Sequence, residues 1–292
     1  MPNPAITVSA MIRKFKKELK DLYDEKEIMQ FLHLLFGYRT GWNKADIHIH
    51  IDFTLQDEDA LYFNKACTWL SQNKPVQYII GATEFLGSKL LVNPSVMIPR
   101  PETEELVTLI TNDLKNKIHS SLSLLDIGTG SGCIAIALKK QFPGMTVYGF
   151  DCSAEALTVA SGNATENNCE ITFYNSDILE PATWDRSPVV DIIVSNPPYI
   201  TGSEKQLMKQ NVLAYEPHLA LFVQDNDSLK FYKAIASFTH SHLLRPGILY
   251  FEINEKFGSE IKELLENSGF SKVRVFQDMN GKARFVKATL IP

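Results

Sequence analysis

The segment with the most chemical information follows a strongly apolar run in the second half of the chain. Val189–Ser195 is typical of a buried strand, and Asn196-Pro197-Pro198-Tyr199 follows it directly. Because proline has no N–H group, two prolines cannot continue a central strand, and their carbonyl oxygens stay free to accept hydrogen bonds. The Asn196 side chain and the Pro197 carbonyl could together bind a planar –NH2 group, with the Tyr199 ring on its face. The alternative is a rigid turn that only ends the strand.

A glycine-rich turn lies earlier in the chain, between a predicted strand, Leu124–Ile127, and a predicted helix. The turn consists of Gly128, Thr129, Gly130, Ser131 and Gly132. Alternate glycines let the backbone turn sharply and let a ligand approach closely, and the helix start offers free N–H groups. The spacing G-x-G-x-G differs from the dinucleotide pattern G-x-G-x-x-G, and the Lys-Ser/Thr pair of a phosphate-binding loop is absent from it. A tight turn without a ligand is the alternative.

Acidic residues follow the next two predicted strands. Asp151 ends the strand Thr146–Phe150, about 20 residues after the glycines, where a carboxylate can accept hydrogen bonds from a ribose diol. NAD and S-adenosylmethionine both carry such a diol. Asp177 and Ile178 follow Ile171–Tyr174 and could provide an acceptor and an apolar wall for an adenine ring. Alternatively, Asp177 only caps a helix.

Strands that alternate with helices must position these residues. The predicted strands from Glu102 onward are Leu124–Ile127, Thr146–Phe150, Ile171–Tyr174, Val189–Ser195 and Ile248–Ile253. The predicted helices are Cys133–Lys140, Ala154–Asn167, Leu229–Leu243 and Glu260–Ser268. This alternation predicts a parallel sheet covered on both faces. Val273–Gln277 and Arg284–Leu290 are too close in sequence for a crossover helix, so we expect an antiparallel hairpin at the end of the sheet.

Residues 1–80 predict a small helical bundle. Apolar residues recur at helical spacing in two sets, Ile12, Phe15, Leu19 and Leu22, then Ile28, Phe31, Leu32 and Leu35. A third helix is predicted to begin at Thr54, with Asp57 completing a capping box, and to end before Pro75. Residues 81–101 are rich in glycine, proline and aromatic residues and predict a hairpin linker.

Charge disfavours a protein that binds nucleic acid electrostatically. The 292 residues include 29 Lys and Arg against 34 Asp and Glu, which gives a net charge of −5. A nucleic-acid binder needs a basic face to displace counterions from phosphates. The one dense basic run comprises Arg13, Lys14, Lys16, Lys17 and Lys20. Its simplest interpretation is the solvated face of a helix, with a partner-binding patch as the alternative.

Cysteine usage and hydropathy predict a soluble, cytoplasmic protein. The cysteines are Cys67, Cys133, Cys152 and Cys169, without a C-x-x-C pair or zinc-finger spacing, so we expect free thiols and no metal. The first 20 residues or so contain no apolar core of a signal peptide. Apolar runs are far shorter than a membrane span, so no membrane association is expected.

Several motifs together resemble one enzyme family. The glycine turn with Asn196–Tyr199 resembles class I S-adenosylmethionine-dependent methyltransferases that act on planar amino or amide nitrogens. Four further segments are similar to the peptide chain release factor glutamine N5-methyltransferase family (PrmC/HemK), and the resemblance covers nearly the whole chain. These segments are Pro75–Gly81, Ile98–Glu104, Tyr215–Pro217 and Asp278–Gly281.

The resemblance implies a Rossmann-like class I methyltransferase domain (α/β, mostly parallel sheet with an antiparallel C-terminal hairpin) preceded by a small all-helical domain. The implied boundaries are 1–80 for a helical substrate-recognition domain, 81–101 for the hairpin linker and 102–292 for the catalytic domain. The implied cofactor is S-adenosyl-L-methionine, with S-adenosyl-L-homocysteine as product. The implied partners are class I release factors, without stable nucleic-acid binding, and a monomer is expected.

The resemblance also assigns roles to residues. Gly128–Gly132 and Asp151 would hold the cofactor, with Asp177, Ile178 and Asn196 completing its pocket, and Asn196–Tyr199 would hold the substrate glutamine.

The chain departs from the family pattern in two places. Asn254 stands where many relatives have Gly, and Ile178 stands where some have an aromatic residue, which weakens any expectation of ring stacking on adenine there.

Three other functions compete with this prediction. A nucleic-acid adenine methyltransferase shares the Asn-Pro-Pro-Tyr segment, but it predicts a basic groove that the net charge does not favour. A non-catalytic scaffold has no use for free proline carbonyls. An NAD-dependent oxidoreductase is disfavoured by the glycine spacing.

Overall fold

The computed structural model describes residues 6–115, 122–208 and 210–291. The chain begins with helices α1 (Val8–Leu19), α2 (Glu25–Thr40), α3 (Lys44–Ile49), α4 (Asp57–Ser71) and α5 (Val76–Ile80). It continues with β1 (Ala82–Phe85), β2 (Ser88–Leu91), α6 (Pro101–Leu114), β3 (Ser123–Ile127), α7 (Cys133–Gln141), β4 (Thr146–Asp151), α8 (Ala154–Glu166) and β5 (Ile171–Asn175). The remaining elements are β6 (Val190–Ser195), β7 (Ile200–Thr201), α9 (Gln210–Tyr215), β8 (Phe222–Val223), α10 (Lys230–His242), β9 (Leu243–Glu252), α11 (Gly258–Asn267), β10 (Phe270–Gln277) and β11 (Ala283–Leu290).

Two compact units divide the chain. The helical unit comprises Met1–Gly81 and Lys209–Tyr215, and the sheet unit comprises Ala82–Met208 and Glu216–Pro292. The β1–β2 hairpin is thus part of the sheet unit, where Phe85 and Leu90 pack into the same core as helices α6, α7 and α8.

The helical unit has an apolar core formed by one face of each long helix. Its largest fully buried side chains are Phe15, Phe36, Phe63 and Met11. Leu22, predicted on the buried face of the first helix, lies beyond the end of α1 and is exposed. In the basic run, Lys14 pairs with Glu18 and Lys16 pairs with Glu25.

The predicted capping box at Thr54 is wrong. Helix α4 begins at Asp57, and its N-cap Gln56 makes no side-chain cap hydrogen bond. Thr54 instead forms an antiparallel bridge with Thr7, because the backbone before α4 is extended and the N–H of Leu55 donates to the Ile6 carbonyl. Sequence patterns also missed α3, α5 and α6. Pro101 occupies the first turn of α6, where its missing N–H costs nothing.

The main sheet confirms the predicted fold class. Its strand order is β10-β11-β9-β6-β3-β4-β5. Strands β9, β6, β3, β4 and β5 are parallel, whereas β11 runs antiparallel to both of its neighbours. The C-terminal hairpin therefore closes one end of a mostly parallel sheet, as the short connection between the last two apolar runs predicted.

Helices cover both faces of this sheet. Alternate strand residues point to opposite faces: Leu125 and Ile193 pack with α10 and α11, whereas Leu124 and Ile192 pack with α6, α7 and α8. Burial on both faces explains the apolar runs of the central strands, such as Ile192–Val194 in β6. Among the described residues, no helix combines the length and the apolar character needed to cross a membrane.

Candidate active site

The carboxyl ends of β3, β4, β5 and β6 meet at one cavity of about 340 Å³. The predicted site residues that line it are Gly128, Thr129, Gly130, Ser131, Asp151, Asp177, Ile178, Asn196, Pro197 and Pro198. Two others, Gly132 and Tyr199, do not line it. The register explains this convergence: Ile127 of β3 pairs with Ser195 of β6, so the glycine turn and the Asn-Pro-Pro segment leave the sheet side by side.

The glycine turn places bare backbone against the cavity. Gly128 and Gly130 have φ values of +70° and +53°, in the left-handed region that favours glycine. A Cβ atom on either would meet no other atom within 4 Å, so the space beside both glycines is open to a ligand. Gly132 instead permits close packing against α8, because a Cβ atom there would lie 3.3 Å from the Cβ of Ala160.

Asp151 at the end of β4 is connected to the glycine turn. Its Oδ2 accepts from the N–H of Gly130 at 2.9 Å, and its Oδ1 accepts from the N–H of Ser153 at 3.0 Å. Burial raises the pKa of this carboxyl. Each oxygen keeps a lone pair, so Asp151 can still accept hydrogen bonds from a ligand in the cavity.

A second carboxyl lies behind the turn. Asp126 in β3 is buried, and its Oδ2 accepts from the hydroxyl of Thr129 at 2.7 Å. Burial is the main reason that its pKa rises to about 7, and the nearby Asp151 adds to the effect. Its Oδ1 has no partner among the described residues.

Asp177 and Ile178 form the far end of the cavity, after β5. The Oδ1 of Asp177 accepts from the N–H of Leu179 at 2.8 Å, which is an Asx turn. Ile178 and Phe231 belong to the same buried apolar cluster, and both line the cavity. This end therefore offers an apolar wall next to a carboxylate.

Asn196 presents one end of its side chain to the protein. Its Nδ2 donates to the Oγ1 of Thr103, in the first turn of α6, at 3.2 Å. Among the described residues, none donates to the Oδ1 of Asn196 or to the carbonyl of Pro197. Both residues line the cavity, so two acceptors are available to a ligand with an –NH2 group.

Glu252, at the end of β9, supports this segment and was missed by the sequence patterns. The carboxylate is fully buried and accepts from the Thr103 hydroxyl at 2.8 Å and from the Tyr199 hydroxyl at 3.0 Å. Burial raises its pKa to about 7, against the opposing effect of these hydrogen bonds. An acidic residue within an otherwise apolar strand, Tyr250-Phe251-Glu252-Ile253, is the signal that could have found it.

Asn254 also contacts this segment. Its Nδ2 donates to the Tyr199 carbonyl at 3.2 Å and to the Oε2 of Glu204 at 2.9 Å. Its Oδ1 accepts from the N–H of Lys256 at 3.0 Å, so a side chain at this position makes three hydrogen bonds, one of them to Tyr199.

An ion pair connects two of the segments that resemble the family, Ile98–Glu104 and Tyr215–Pro217. The Nη2 of Arg100 lies 2.5 Å from the Oε1 of Glu216, and the N–H of Ile98 donates to the Oε2 of Glu216 at 3.3 Å. Glu216 thus joins the segment before α6 to residues 217–222, which supply part of the cavity wall. The buried Asn163 of α8 donates to the carbonyl of Leu91, at the end of β2, and to the carbonyl of Ser131 in the glycine turn. It therefore connects the β1–β2 hairpin to that turn.

Comparison with known proteins agrees with this geometry. The family model described as "Methyltransferase small domain" matches residues 103–221, and the "PrmC N-terminal domain" matches residues 10–81. A "Release factor glutamine methyltransferase" from Flavobacterium psychrophilum is 43% identical over 275 residues, covering 94% of this chain and 96% of that relative. The chain belongs to the release factor glutamine methyltransferase family.

Other comparisons extend this assignment. A family member of the same name from Bacteroides thetaiotaomicron is 42% identical over 282 residues, covering 96% of this chain and 98% of its own length. The crystal structure of a methyltransferase from Pyrococcus furiosus shares the fold, with a TM-score of 0.51 and 19% identity over 71% of this chain and 91% of its own. The family resemblance seen in the sequence is confirmed, and the chain is a methyltransferase.

Proposed function

We propose that this chain transfers a methyl group from S-adenosylmethionine to the side-chain amide nitrogen (N5) of the glutamine in the Gly-Gly-Gln motif of class I peptide chain release factors. The observation that carries the proposal is a pair of acceptors, the Asn196 Oδ1 and the Pro197 carbonyl, to which no described residue donates, on the wall of a cavity that the glycine turn also lines. The names of relatives that align over nearly the whole chain support the release factor as substrate.

The cavity residues fit S-adenosylmethionine. The open space beside Gly128 and Gly130 admits a ligand against bare backbone, and Asp151 has lone pairs for the ribose hydroxyls. Ile178 supplies an apolar surface for the adenine, and Asp177 lies beside it as an acceptor. When bound, S-adenosylmethionine supplies a methyl group activated by its sulfonium, and S-adenosylhomocysteine is the product.

The Asn-Pro-Pro segment would orient the amide. An amide nitrogen is a poor nucleophile because its lone pair is delocalised into the carbonyl, so positioning is a large part of what the protein must supply. The Asn196 Oδ1 and the Pro197 carbonyl accept one hydrogen each from the –NH2 group and thereby fix the direction of its nitrogen. As positive charge develops on that nitrogen, both acceptors bind its hydrogens more tightly, which stabilises the transition state relative to the bound substrate. The methylated nitrogen is strongly acidic and then loses one of its two hydrogens as a proton to solvent, which leaves the neutral N-methyl amide.

Tyr199 supports the segment from outside the cavity lining. The structure connects its hydroxyl to Glu252, with the ring partly buried against the core of the sheet unit. Tyr199 would therefore hold the backbone of the Asn-Pro-Pro segment in place. A contact between its ring and the substrate amide stays a prediction.

We further assign substrate recognition to the helical unit and the reaction to the sheet unit, in a cytoplasmic enzyme. Methylation of adenine in nucleic acid, the alternative, is not favoured, because the aligned relatives carry the release-factor name and the chain is acidic overall.

The deciding experiment measures methyl transfer from labelled S-adenosylmethionine to a purified class I release factor. The matched control is the same factor with the loop glutamine changed to glutamate, which keeps the shape but lacks the –NH2 group. We expect label in the first factor and none in the second. Equal labelling of both factors, or labelling of DNA or RNA in their place, would contradict the proposal.

A further inference from the structure

A chain of hydrogen bonds runs from a buried carboxylate to the proposed substrate acceptor. The Thr103 hydroxyl donates to the Oε2 of Glu252 at 2.8 Å and accepts from the Nδ2 of Asn196 at 3.2 Å. The three residues come from different elements: the end of β9, the first turn of α6 and the residue after β6. Glu252 does not line the cavity, whereas Thr103 and Asn196 do.

The chemistry of the groups determines the direction of this chain. An ionised carboxylate can only accept, so the single hydroxyl hydrogen of Thr103 is committed to Glu252. The Thr103 oxygen can then only accept from Asn196, which requires that the –NH2 end of the Asn196 side chain faces Thr103. The Oδ1 end consequently faces the cavity as an acceptor.

The opposite orientation of Asn196 would not support the proposed reaction. Its –NH2 group would then face the –NH2 group of the substrate amide, and two donors cannot form a hydrogen bond with each other. Asn196 by itself could adopt either orientation, since its two ends have nearly the same shape. Something outside the cavity must therefore select one.

We propose that Glu252 is a positioning residue that acts through Thr103 to hold the Oδ1 of Asn196 toward the substrate amide. This inference rests on the proposed function, because it concerns how the same site binds an –NH2 group. It adds a residue that does not touch the substrate and assigns Thr103 as the connection.

Two features of Glu252 suit it to this role. It is fully buried at the end of a central strand, between β6 and β11, so its position is determined by the sheet. Its second oxygen accepts from the Tyr199 hydroxyl at 3.0 Å, and the Tyr232 hydroxyl donates to its main-chain carbonyl at 3.2 Å. The carboxylate thus holds both ends of the Asn196–Tyr199 segment.

The test compares T103V with T103S in the full chain, with single-turnover methyl transfer to the release factor as the readout. Valine has nearly the shape of threonine but lacks the hydroxyl, whereas serine retains it. We expect T103V to lower the rate about 10- to 100-fold, the range typical of a misoriented catalytic group, with S-adenosylmethionine affinity changed little. T103S is expected to restore most of the rate.

E252Q supplies a second, independent variant. Glutamine can turn either its oxygen or its –NH2 group toward Thr103. The series of hydrogen bonds from residue 252 to Asn196 then has no defined direction, and the rate of methyl transfer falls. Because Thr103 orients Asn196 only while Glu252 holds its hydroxyl, T103V should slow the reaction much less in the E252Q background than in the wild type, whereas E252Q keeps a separate effect through Tyr199. The inference would be overturned if the effects of T103V and E252Q on the rate multiply in the double variant, or if T103V and T103S have equal rates. E252Q removes a buried charge without changing shape, so it keeps the inference testable if T103V does not fold.

A readout without substrate separates this inference from the proposed function. In protein labelled with ¹⁵N-asparagine, the Asn196 side-chain amide should show a hydrogen protected from exchange in the wild type and in T103S, and unprotected in T103V. Unprotected hydrogens in the wild type would contradict the inference. Protected hydrogens without methylation of the release factor would contradict only the proposed function.

Discussion

Arg100 and Glu216 form a largely buried ion pair between segments far apart in the sequence, with the Nη2 of Arg100 2.5 Å from the Oε1 of Glu216. The Glu216 side chain is almost inaccessible to solvent, whereas about a third of the Arg100 side chain is exposed. The carboxylate also accepts from the N–H of Ile98. The pair therefore connects the entry into α6 to the cavity wall that follows Glu216, and we expect it to contribute to both stability and cofactor binding.

E216A should destabilise the protein by about 1–3 kcal/mol, because it leaves a buried N–H and a partly buried guanidinium without a partner. Thermal unfolding and the dissociation constant for S-adenosylmethionine measure the two effects, and both should worsen. D227N is the matched control. It breaks the exposed pair of Asp227 with Lys233 and should change stability by less than about 1 kcal/mol. Equal effects of the two variants would contradict the role given to Glu216.

N196A should lower the rate of methyl transfer by at least about 10²–10³-fold, the usual cost of removing one preorganised hydrogen-bonding group from a transition state. Cofactor affinity should change little, since the proposed contact of Asn196 is with the substrate amide. Single-turnover rates and calorimetric binding separate the two effects. N112A, on the exposed face of α6, is the control. Lost cofactor binding together with a normal rate of transfer from bound cofactor would show that the role of Asn196 is misassigned.

D151A should weaken S-adenosylmethionine binding about 10- to 100-fold, because hydrogen bonds to charged groups contribute about 1.5–3 kcal/mol. Part of the loss would come from the glycine turn, since Asp151 also accepts from the N–H of Gly130. D177A is expected to have a smaller effect, because Asp177 mainly closes its own Asx turn. Calorimetric titration of both variants is the measurement, and an unchanged dissociation constant for D151A would exclude the ribose contact.

The rate should rise with pH through about 7, because only ionised Glu252 accepts from both Thr103 and Tyr199. Burial raises the pKa of Glu252 from 4.5 to about 7, helped by Glu102 and opposed by the Thr103 and Tyr199 hydrogen bonds and by Arg284. E252Q should flatten the pH–rate profile below pH 8 or so, measured at saturating substrate. A profile with the same midpoint in E252Q would assign the titration to another group, such as Asp126, whose pKa is also about 7.

Stability should follow the opposite trend. The folded-state pKa of Glu252 lies above the unfolded value of 4.5, so its contribution to the free energy of unfolding is fully present below that value. The contribution is lost as the pH rises through about 7. The wild type should therefore lose more stability than E252Q between pH 5 and pH 8 or so, as measured by denaturant unfolding.

N254G tests the departure from the family pattern. It removes the hydrogen bonds to the Tyr199 carbonyl and to Glu204 and the one that the Oδ1 of Asn254 accepts from the N–H of Lys256, and we expect a loss of about 1–3 kcal/mol. The rate should fall less than in E252Q, because the contact of Tyr199 with Glu252 remains. N254D should be less stable than N254G, since it places a carboxylate against that of Glu204. Thermal unfolding of the two variants gives the comparison, and the reverse order would contradict these contacts.

Much of the sheet could be predicted from the sequence. Strands buried on both faces are rich in Val, Ile and Leu, so the runs Leu124–Ile127 of β3 and Ile192–Val194 of β6 stand out by composition alone. Local rules of turn geometry identified Gly128–Gly132 and Asn196–Tyr199, because the conformations that glycine and proline permit or forbid do not depend on distant residues. The short helices α3 and α5 escaped prediction, since so few turns carry little periodicity.

The contacts behind the site depended on the tertiary structure. The hydrogen bond between Thr103 and Asn196 joins residues 93 positions apart, and the one between Thr103 and Glu252 joins residues 149 positions apart. No local pattern indicates that a threonine hydroxyl connects an asparagine to a glutamate. The same is true of Arg100 and Glu216, which lie 116 residues apart. The sequence by itself determined which chemical groups stand at the edge of the sheet. Only strand order, register and helix packing, which are long-range properties, determined how those groups are oriented.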